Sequence, residues 1–293
     1  LKIPRQKDKR SIRNILKETE DRFRKINIVS PRLDAEVLLS SYLKKDRSGL
    51  YTSSEYVPTD KEMQEYGDGV ARRLRGEPVA YITGKKEFWS LDLEINDKVL
   101  IPRPETEILV EQALRLVEKW KLINGRILEI GTGSGAISIA LASELERARI
   151  FAMDISIDAV KIAKRNARRN GVEKLVSFIC GNLFEPLSDK FDFIVSNPPY
   201  ISEKEFQYLP VEIRRFEPGK ALLAGPEGIE FHRELVKKGA DYLKKSGWLV
   251  MEIGYGQSDV IERMLRETRK YDYIHFRTDY AGIKRVAEAQ RKG

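Results

Sequence analysis

The chain has one cysteine, Cys180, and two histidines, His232 and His275, in 293 residues. A single thiol excludes an intramolecular disulfide and any thiolate cluster. The two histidines lie far apart in sequence, without the short spacing of a metal site, so no metal is expected. Long apolar runs are also missing: nothing approaches the roughly 20 residues needed to cross a bilayer. The first residues, with Lys2, Arg5, Lys7, Lys9 and Arg10, lack the apolar centre of a secretory signal. A cytoplasmic protein with no membrane association is therefore expected. The formal net charge is +8, but Lys and Arg are interleaved with Glu and Asp along the whole chain. That pattern belongs to solvated, ion-paired faces, so a nucleic-acid partner is not required. Internal repeats and low-complexity stretches are absent too.

What is present divides the chain into three stretches. From Ser11 to about Arg75 apolar residues recur at helical spacing, as in Ile12, Ile15 and Leu16, then Leu33, Val37, Leu38 and Leu39. Ser30-Pro31 and Thr59-Asp60 with Glu62 read as helix starts. Residues 1–84 are therefore expected to form a small helical bundle. Residues 85–98 switch to a near period of two, through Phe88, Leu91, Leu93 and Ile95, with Asn96-Asp97 as turn residues, which predicts a β-hairpin linker. Residues 99–293 alternate helix and strand. An amphipathic helix runs through Ile108, Leu109, Leu114 and Val117, and strands are predicted at 126–130, 148–153, 175–180, 191–195, 248–253 and 273–276. This predicts an α/β, Rossmann-like domain: a mostly parallel twisted sheet with helices on both faces and ligands beyond the carboxyl ends of the strands.

The first of those strands runs into Glu129-Ile130-Gly131-Thr132-Gly133-Ser134-Gly135. Only glycine lets a backbone turn so tightly and approach a ligand so closely. The spacing is G-x-G-x-G, unlike the G-x-G-x-x-G of dinucleotide folds. A carboxylate at Glu129 would repel a pyrophosphate but tolerate a cationic sulfonium. Glu129, Gly131, Thr132, Gly133 and Gly135 are thus the expected contacts of S-adenosylmethionine. Asp154, at the tip of the second strand about twenty residues on, is placed to accept the two ribose hydroxyl hydrogens. A plain helix-capping Asp is the alternative there. After the third strand, Asn182 is a candidate for the adenine edge and Leu183 for its face.

The fourth strand ends in Ser196-Asn197-Pro198-Pro199-Tyr200. Two prolines cannot continue a central strand. They stiffen its tip and leave Asn197 Oδ1 and the Pro198 carbonyl as acceptors. Two acceptors suit the two hydrogens of an NH2 group, and Tyr200 offers an aromatic face to a planar group. Asn197, Pro198 and Tyr200 are therefore the expected catalytic residues, with Pro199 beside them in the acceptor-binding set. Asn197 is counted with the cofactor contacts as well. The chemistry predicted is methylation of a planar amide or amine nitrogen.

The stretches Gly76-Glu77-Pro78-Val79-Ala80-Tyr81-Ile82-Thr83-Gly84, Glu87-Phe88 and 99–107, which reads VLIPRPETE, together with the glycine loop and NPPY, resemble the HemK/PrmC family. The likeness continues through Phe216-Glu217-Pro218 and Asp279-Tyr280-Ala281-Gly282 and spans nearly the whole chain. NPPY alone is shared with DNA and RNA amino-methyltransferases, which is the alternative reading, whereas PRPETE is far more discriminating. The resemblance implies methylation of the glutamine side-chain amide in the GGQ motif of class-1 peptide chain release factors. It also implies a helical N-terminal domain that helps grip the factor. Arg103, Glu105 and Glu107 are implied at the opening of the active site, with Arg103 and Glu105 as substrate contacts.

Overall fold

A computed structural model describes residues 11–122 and 124–293. The basic start from Lys2 to Arg10, on which the expected absence of a secretory signal rests, lies outside them. Two compact units result: residues 1–84 with 211–216, and residues 85–210 with 217–293.

The first unit is helical: α1 (Ile12–Lys25), α2 (Pro31–Leu43), α3 (Arg47–Thr52), α4 (Asp60–Leu74) and α5 (Val79–Thr83). Its core is Ile12, Ile15, Leu16, Phe23, Leu38, Leu39, Leu50, Tyr66 and Val70. Leu33, which the helical spacing placed on the same stripe, is exposed, and Val37 is only half-buried. Their positions are filled instead by Ala35 and Glu36. Glu36 is buried because it collects Arg32, Arg47 and Tyr51, a charge cluster that periodicity of apolar residues cannot reveal. Thr59 and Glu62 form a reciprocal capping box at the start of α4, whereas Ser30 precedes Pro31 without a side-chain cap. The buried Arg73 pairs with Asp34 at 2.7 Å and, across a long sequence gap, with Glu212 at 2.9 Å.

The second unit opens with the hairpin β1 (Lys85–Phe88) and β2 (Leu91–Glu94). Its apex is Trp89-Ser90, both left-handed with φ of 52° and 57°, while Asn96 organises a separate turn after β2. A two-residue loop needs positive φ at both positions, normally signalled by Asn-Gly, and Trp-Ser carries no such signal. The apex is fixed from outside: the Trp89 backbone N–H donates to Glu107 and its indole to Glu144.

There follow α6 (Thr106–Lys119), β3 (Arg126–Ile130), α7 (Ala136–Glu144), β4 (Arg149–Asp154), α8 (Ile157–Arg169), β5 (Val176–Cys180) and β6 (Phe191–Ser196). Beyond them lie β7 (Ile201–Ser202), α9 (Glu203–Phe206), α10 (Val211–Phe216, grouped with the first unit), β8 (Leu223–Gly225), α11 (Glu230–Tyr242), β9 (Leu243–Glu252), α12 (Ser258–Glu267), β10 (Tyr271–Thr278) and β11 (Lys284–Arg291). Seven strands form one sheet in the order β10-β11-β9-β6-β3-β4-β5. β3, β4, β5, β6 and β9 run parallel, and β11 is antiparallel to both neighbours. The sequence reading did not separate β11 as a strand, because Glu288, Arg285 and Gln290 interrupt its apolar residues. Glu288 is wholly buried, held by Arg115 and Arg277.

Chain order reverses between β3 and β6, which are paired through Ile127–Phe193 to Ile130–Ser196. The loops leaving these two strands are therefore neighbours at the carboxyl edge, the usual ligand position of such a sheet. Ser196 Oγ donates to the Ile130 carbonyl at 2.8 Å, tying the two tips together.

Asn166 of α8 is fully buried. It accepts the Glu94 N–H at 2.6 Å and donates to the Glu94 and Ser134 carbonyls at 3.0 and 2.9 Å. One amide thus joins hairpin, helix and glycine loop. Asn166→Ala strands a buried N–H and should cost about 2–3 kcal/mol, read as a lower denaturation midpoint; an unchanged midpoint would show that water replaces the side chain.

Candidate functional site

The glycine loop follows β3 and is shaped by backbone bonds. Gly131 and Thr132 N–H both donate to the Met153 carbonyl at 2.8 and 2.9 Å, and Gly135 N–H closes onto Thr132. All three glycines have positive φ, but for different purposes. A Cβ on Gly135 would meet Ile139 at 2.9 Å and Ala163 at 3.1 Å, so that glycine lets α7 and α8 pack. Around Gly131 and Gly133 a Cβ would meet nothing within 4 Å, so those two face open space.

Glu129 lies beneath the loop, 1% exposed. Its Oε2 accepts from Thr132 Oγ1 at 2.6 Å, from Ser138 N–H at 3.1 Å and from the Ser138 hydroxyl, while Oε1 is buried with no hydrogen-bond partner among the described residues. Burial pushes its carboxyl up to about 7, against the opposing pull of Thr132 and Ser138. Asp154 ends β4 with its two oxygens on Gly133 N–H at 2.8 Å and Ser156 N–H at 2.9 Å. Helix α8 is capped by Ser156, not Asp154. Asp154 therefore holds the glycine loop and keeps lone pairs for a ligand; burial raises its pKa. Asn182 is exposed, with its amide donating to Glu185 at 2.9 Å, and Leu183, beside it, adopts φ of 47°.

At the tip of β6, Asn197 is half-buried and Pro198 buried. Asn197 Nδ2 donates to Thr106 Oγ1 at 3.0 Å, and Thr106 Oγ1 donates to Glu252 Oε2 at 2.7 Å. Tyr200 O–H stands 3.5 Å from Glu252 Oε1, and its carbonyl accepts from Gln257 at 2.9 Å. Glu252, at the end of β9, is 2% exposed, and burial pushes its carboxyl up to about 7. Burial also raises the Tyr200 phenol, so it stays protonated.

The PRPETE residues divide. Arg103 is held by the buried Glu217 at 2.5 Å, which also accepts the Ile101 N–H. Glu105 is exposed at the start of α6 and close enough to raise the Glu252 pKa. Glu107 Oε1 accepts the Trp89 N–H at the hairpin apex at 2.9 Å. Thr106 and Glu217 lie within stretches that carried the resemblance but were given no role from sequence, and Ser138 and Glu252 were not singled out. The signal for Glu252 was a carboxylate closing an otherwise apolar strand.

Among the described residues no group of three His, Cys, Asp or Glu could hold a metal, and no helix is long and apolar enough to cross a membrane.

Two family models match the chain: a PrmC N-terminal domain over residues 14–84 and a methyltransferase small domain over residues 105–217. A release factor glutamine methyltransferase from Aliivibrio fischeri is 42% identical over 96% of this chain and 95% of its own. One of the same description from Rhodopirellula baltica is 38% identical, with 96% of each chain covered. A methyltransferase crystal structure from Pyrococcus furiosus superposes with a TM-score of 0.51 at 19% identity, over 78% of this chain and all of that one, a likeness of fold.

The two buried carboxyls set a pH signature. Each holds its proton to about pH 7 when folded, against an ordinary value of 4.5. Between those values the folded state binds more protons than the unfolded state, so stability falls as pH rises, by at most about 1.4 kcal/mol per pH unit for each group. Glu129→Gln should gain stability relative to the parent from pH 5 to 7 in urea titrations; a pH-independent difference would place Glu129 at its ordinary value.

Proposed function

The chain belongs to the release factor glutamine methyltransferase family, and on that premise we propose that it transfers a methyl group from S-adenosylmethionine to the glutamine side-chain amide of the GGQ motif in class-1 peptide chain release factors. The observation that carries this reading is the Asn197 amide, whose donor side is occupied by Thr106 so that Oδ1 remains as an acceptor beside the Pro198 carbonyl.

The loop residues fit the cofactor. Gly131 and Gly133 leave room where a Cβ would project, and Glu129 Oε1 is a buried acceptor without a partner, suited to a cationic ligand. Glu129, Gly131, Thr132, Gly133 and Gly135 would form the cradle, Asp154 would take the ribose hydroxyls, and Asn182 and Leu183 would border the adenine. When bound, S-adenosylmethionine supplies an electrophilic methyl group on a sulfonium sulfur.

An amide nitrogen is a weak nucleophile because its lone pair is delocalised into the carbonyl, so positioning carries much of the catalysis. Asn197 Oδ1 and the Pro198 carbonyl each accept one N–H of the substrate amide and aim its nitrogen. The same acceptors, fixed before reaction, stabilise positive charge as it develops there. Tyr200 and Pro199 bound the planar group. Arg103, steadied by Glu217, and the exposed Glu105 contact the factor at the opening. The helical unit adds grip on the factor, and translation termination places the reaction in the cytoplasm.

The test is transfer of labelled methyl to a purified release factor, with the GGQ glutamine replaced by alanine in a control and DNA and RNA as further acceptors. Label on the intact factor alone is expected; label on nucleic acid would move the NPPY chemistry to a base amine. Asn197→Ala should lower kcat by about 100-fold or more, a far larger effect than on cofactor affinity, to which Asn197 is one of several expected contacts. Asp154→Ala should weaken cofactor binding by about 10-fold or more by calorimetry, the cost of charge-assisted hydrogen bonds; unchanged affinity removes it from the ribose site.

A further inference from the structure

Three polar side chains from three separate elements form a chain with a defined direction: Asn197 after β6, Thr106 at the first turn of α6, and Glu252 at the end of β9. Above about pH 7, where Glu252 is ionised and can only accept hydrogen bonds, the single hydroxyl proton of Thr106 is committed to Glu252. Thr106 Oγ1 then has only lone pairs left to offer. The group facing it must be the donor end of the Asn197 amide, because Oδ1 in that place would set acceptor against acceptor. Both Thr106 and Glu252 are almost completely buried, at 3% and 2% exposure, so water does not compete for these bonds.

We propose that Thr106 and Glu252 are positioning residues for Asn197, the carboxylate dictating through one hydroxyl which face of the Asn197 amide is presented to the substrate. The proposal rests on the reading of Asn197 as an acceptor for the glutamine amide, and adds why that amide is not free to flip. The surroundings keep Glu252 in place. Arg285 of β11 favours its charged form, Glu105 opposes it, and the Tyr200 hydroxyl approaches its other oxygen. His232 of α11, held neutral by burial, is bonded through Nε2 to the Glu252 backbone carbonyl at 2.8 Å. Glu252 is therefore fixed by backbone and side chain alike.

A purely structural role and a positioning role predict different things. Removing one partner of a buried polar cluster is destabilising, because the groups it served are left unpaired, so the positioning role is read from kcat on folded protein and from rescue rather than from stability. Glu252→Leu should lower the denaturation midpoint and, in the protein that remains folded, lower kcat on a release factor by about 10-fold or more, since Thr106 is then free to donate to Oδ1. Thr106→Val keeps the shape and removes the hydroxyl, and should lower kcat by about 100-fold with KM and cofactor affinity within about threefold of the parent. Thr106→Ser restores both bonds and should recover activity to within about fivefold. Thr106→Ala is the second probe if the valine variant fails to fold. In an Asn197→Ala background, the valine substitution should cost nothing further, because its effect passes through Asn197.

Near-parental kcat in Thr106→Val or Glu252→Leu beside an inactive Asn197→Ala would overturn the relay while leaving the Asn197 reading intact. So would a full additional loss in the double variant. An active Asn197→Ala protein would remove the acceptor reading and the relay with it.

Discussion

The parallel pairing of β3 with β6 is the constraint on which the site depends. Because the chain order turns around at that pair, the segments leaving the two strands cannot be covered by a crossover from either side. The glycine loop and the NPPY turn are thus brought side by side, and the Ser196 hydroxyl on the Ile130 carbonyl locks their relative height. Donor and acceptor sites for a methyl group must lie within a few ångströms of an in-line arrangement. On the proposed function, adjacent strand tips would supply that from the rigid part of the molecule.

Around these tips the sheet buries carboxylates where apolar residues would be cheaper. Glu129 and Glu252 sit at the ends of two strands with hydroxyl partners close by: Thr132 of the glycine loop and Ser138 of α7 for the first, Thr106 of α6 for the second. Both lose solvation, and both organise a segment that has no regular structure of its own. Glu129 holds the turn into α7, and Glu252 reaches the NPPY turn through Thr106. Each orders irregular backbone at the carboxyl edge, where strands and helices can no longer do so.

The strongest sequence signals were those in which a residue type does something no other can. Glycine at 131, 133 and 135 and the prolines at 198 and 199 announce backbone geometry directly, and parallel strands buried on both faces announce themselves as apolar runs. What stayed hidden shares a different cause. Strand β11, the buried Glu36 and the buried Glu288 all depend on arginine partners that only the fold brings into place, from Arg32 and Arg47 beside Glu36 to the distant Arg115 beside Glu288, and these convert a polar residue into an interior one. The hairpin apex at Trp89-Ser90 is likewise set by Glu107 and Glu144 rather than by its own turn propensity. Thr106 and Glu252 are silent for the same reason: their meaning is a mutual distance across about 150 residues of chain, which no local pattern encodes.

The three glycines of the loop leave unequal marks on tolerance to change. Alanine at 131 or 133 carries only the backbone strain of a left-handed residue, about 1–2 kcal/mol, and its methyl group enters the space a ligand would use. Alanine at 135 carries that strain and also drives apart Ile139 and Ala163. A selection that scores only soluble, folded protein would therefore register position 135 most heavily and its two neighbours less. One that scores turnover would register all three. The same short motif thus serves two ends at once, the close packing of two helices at one glycine and open space beside the other two.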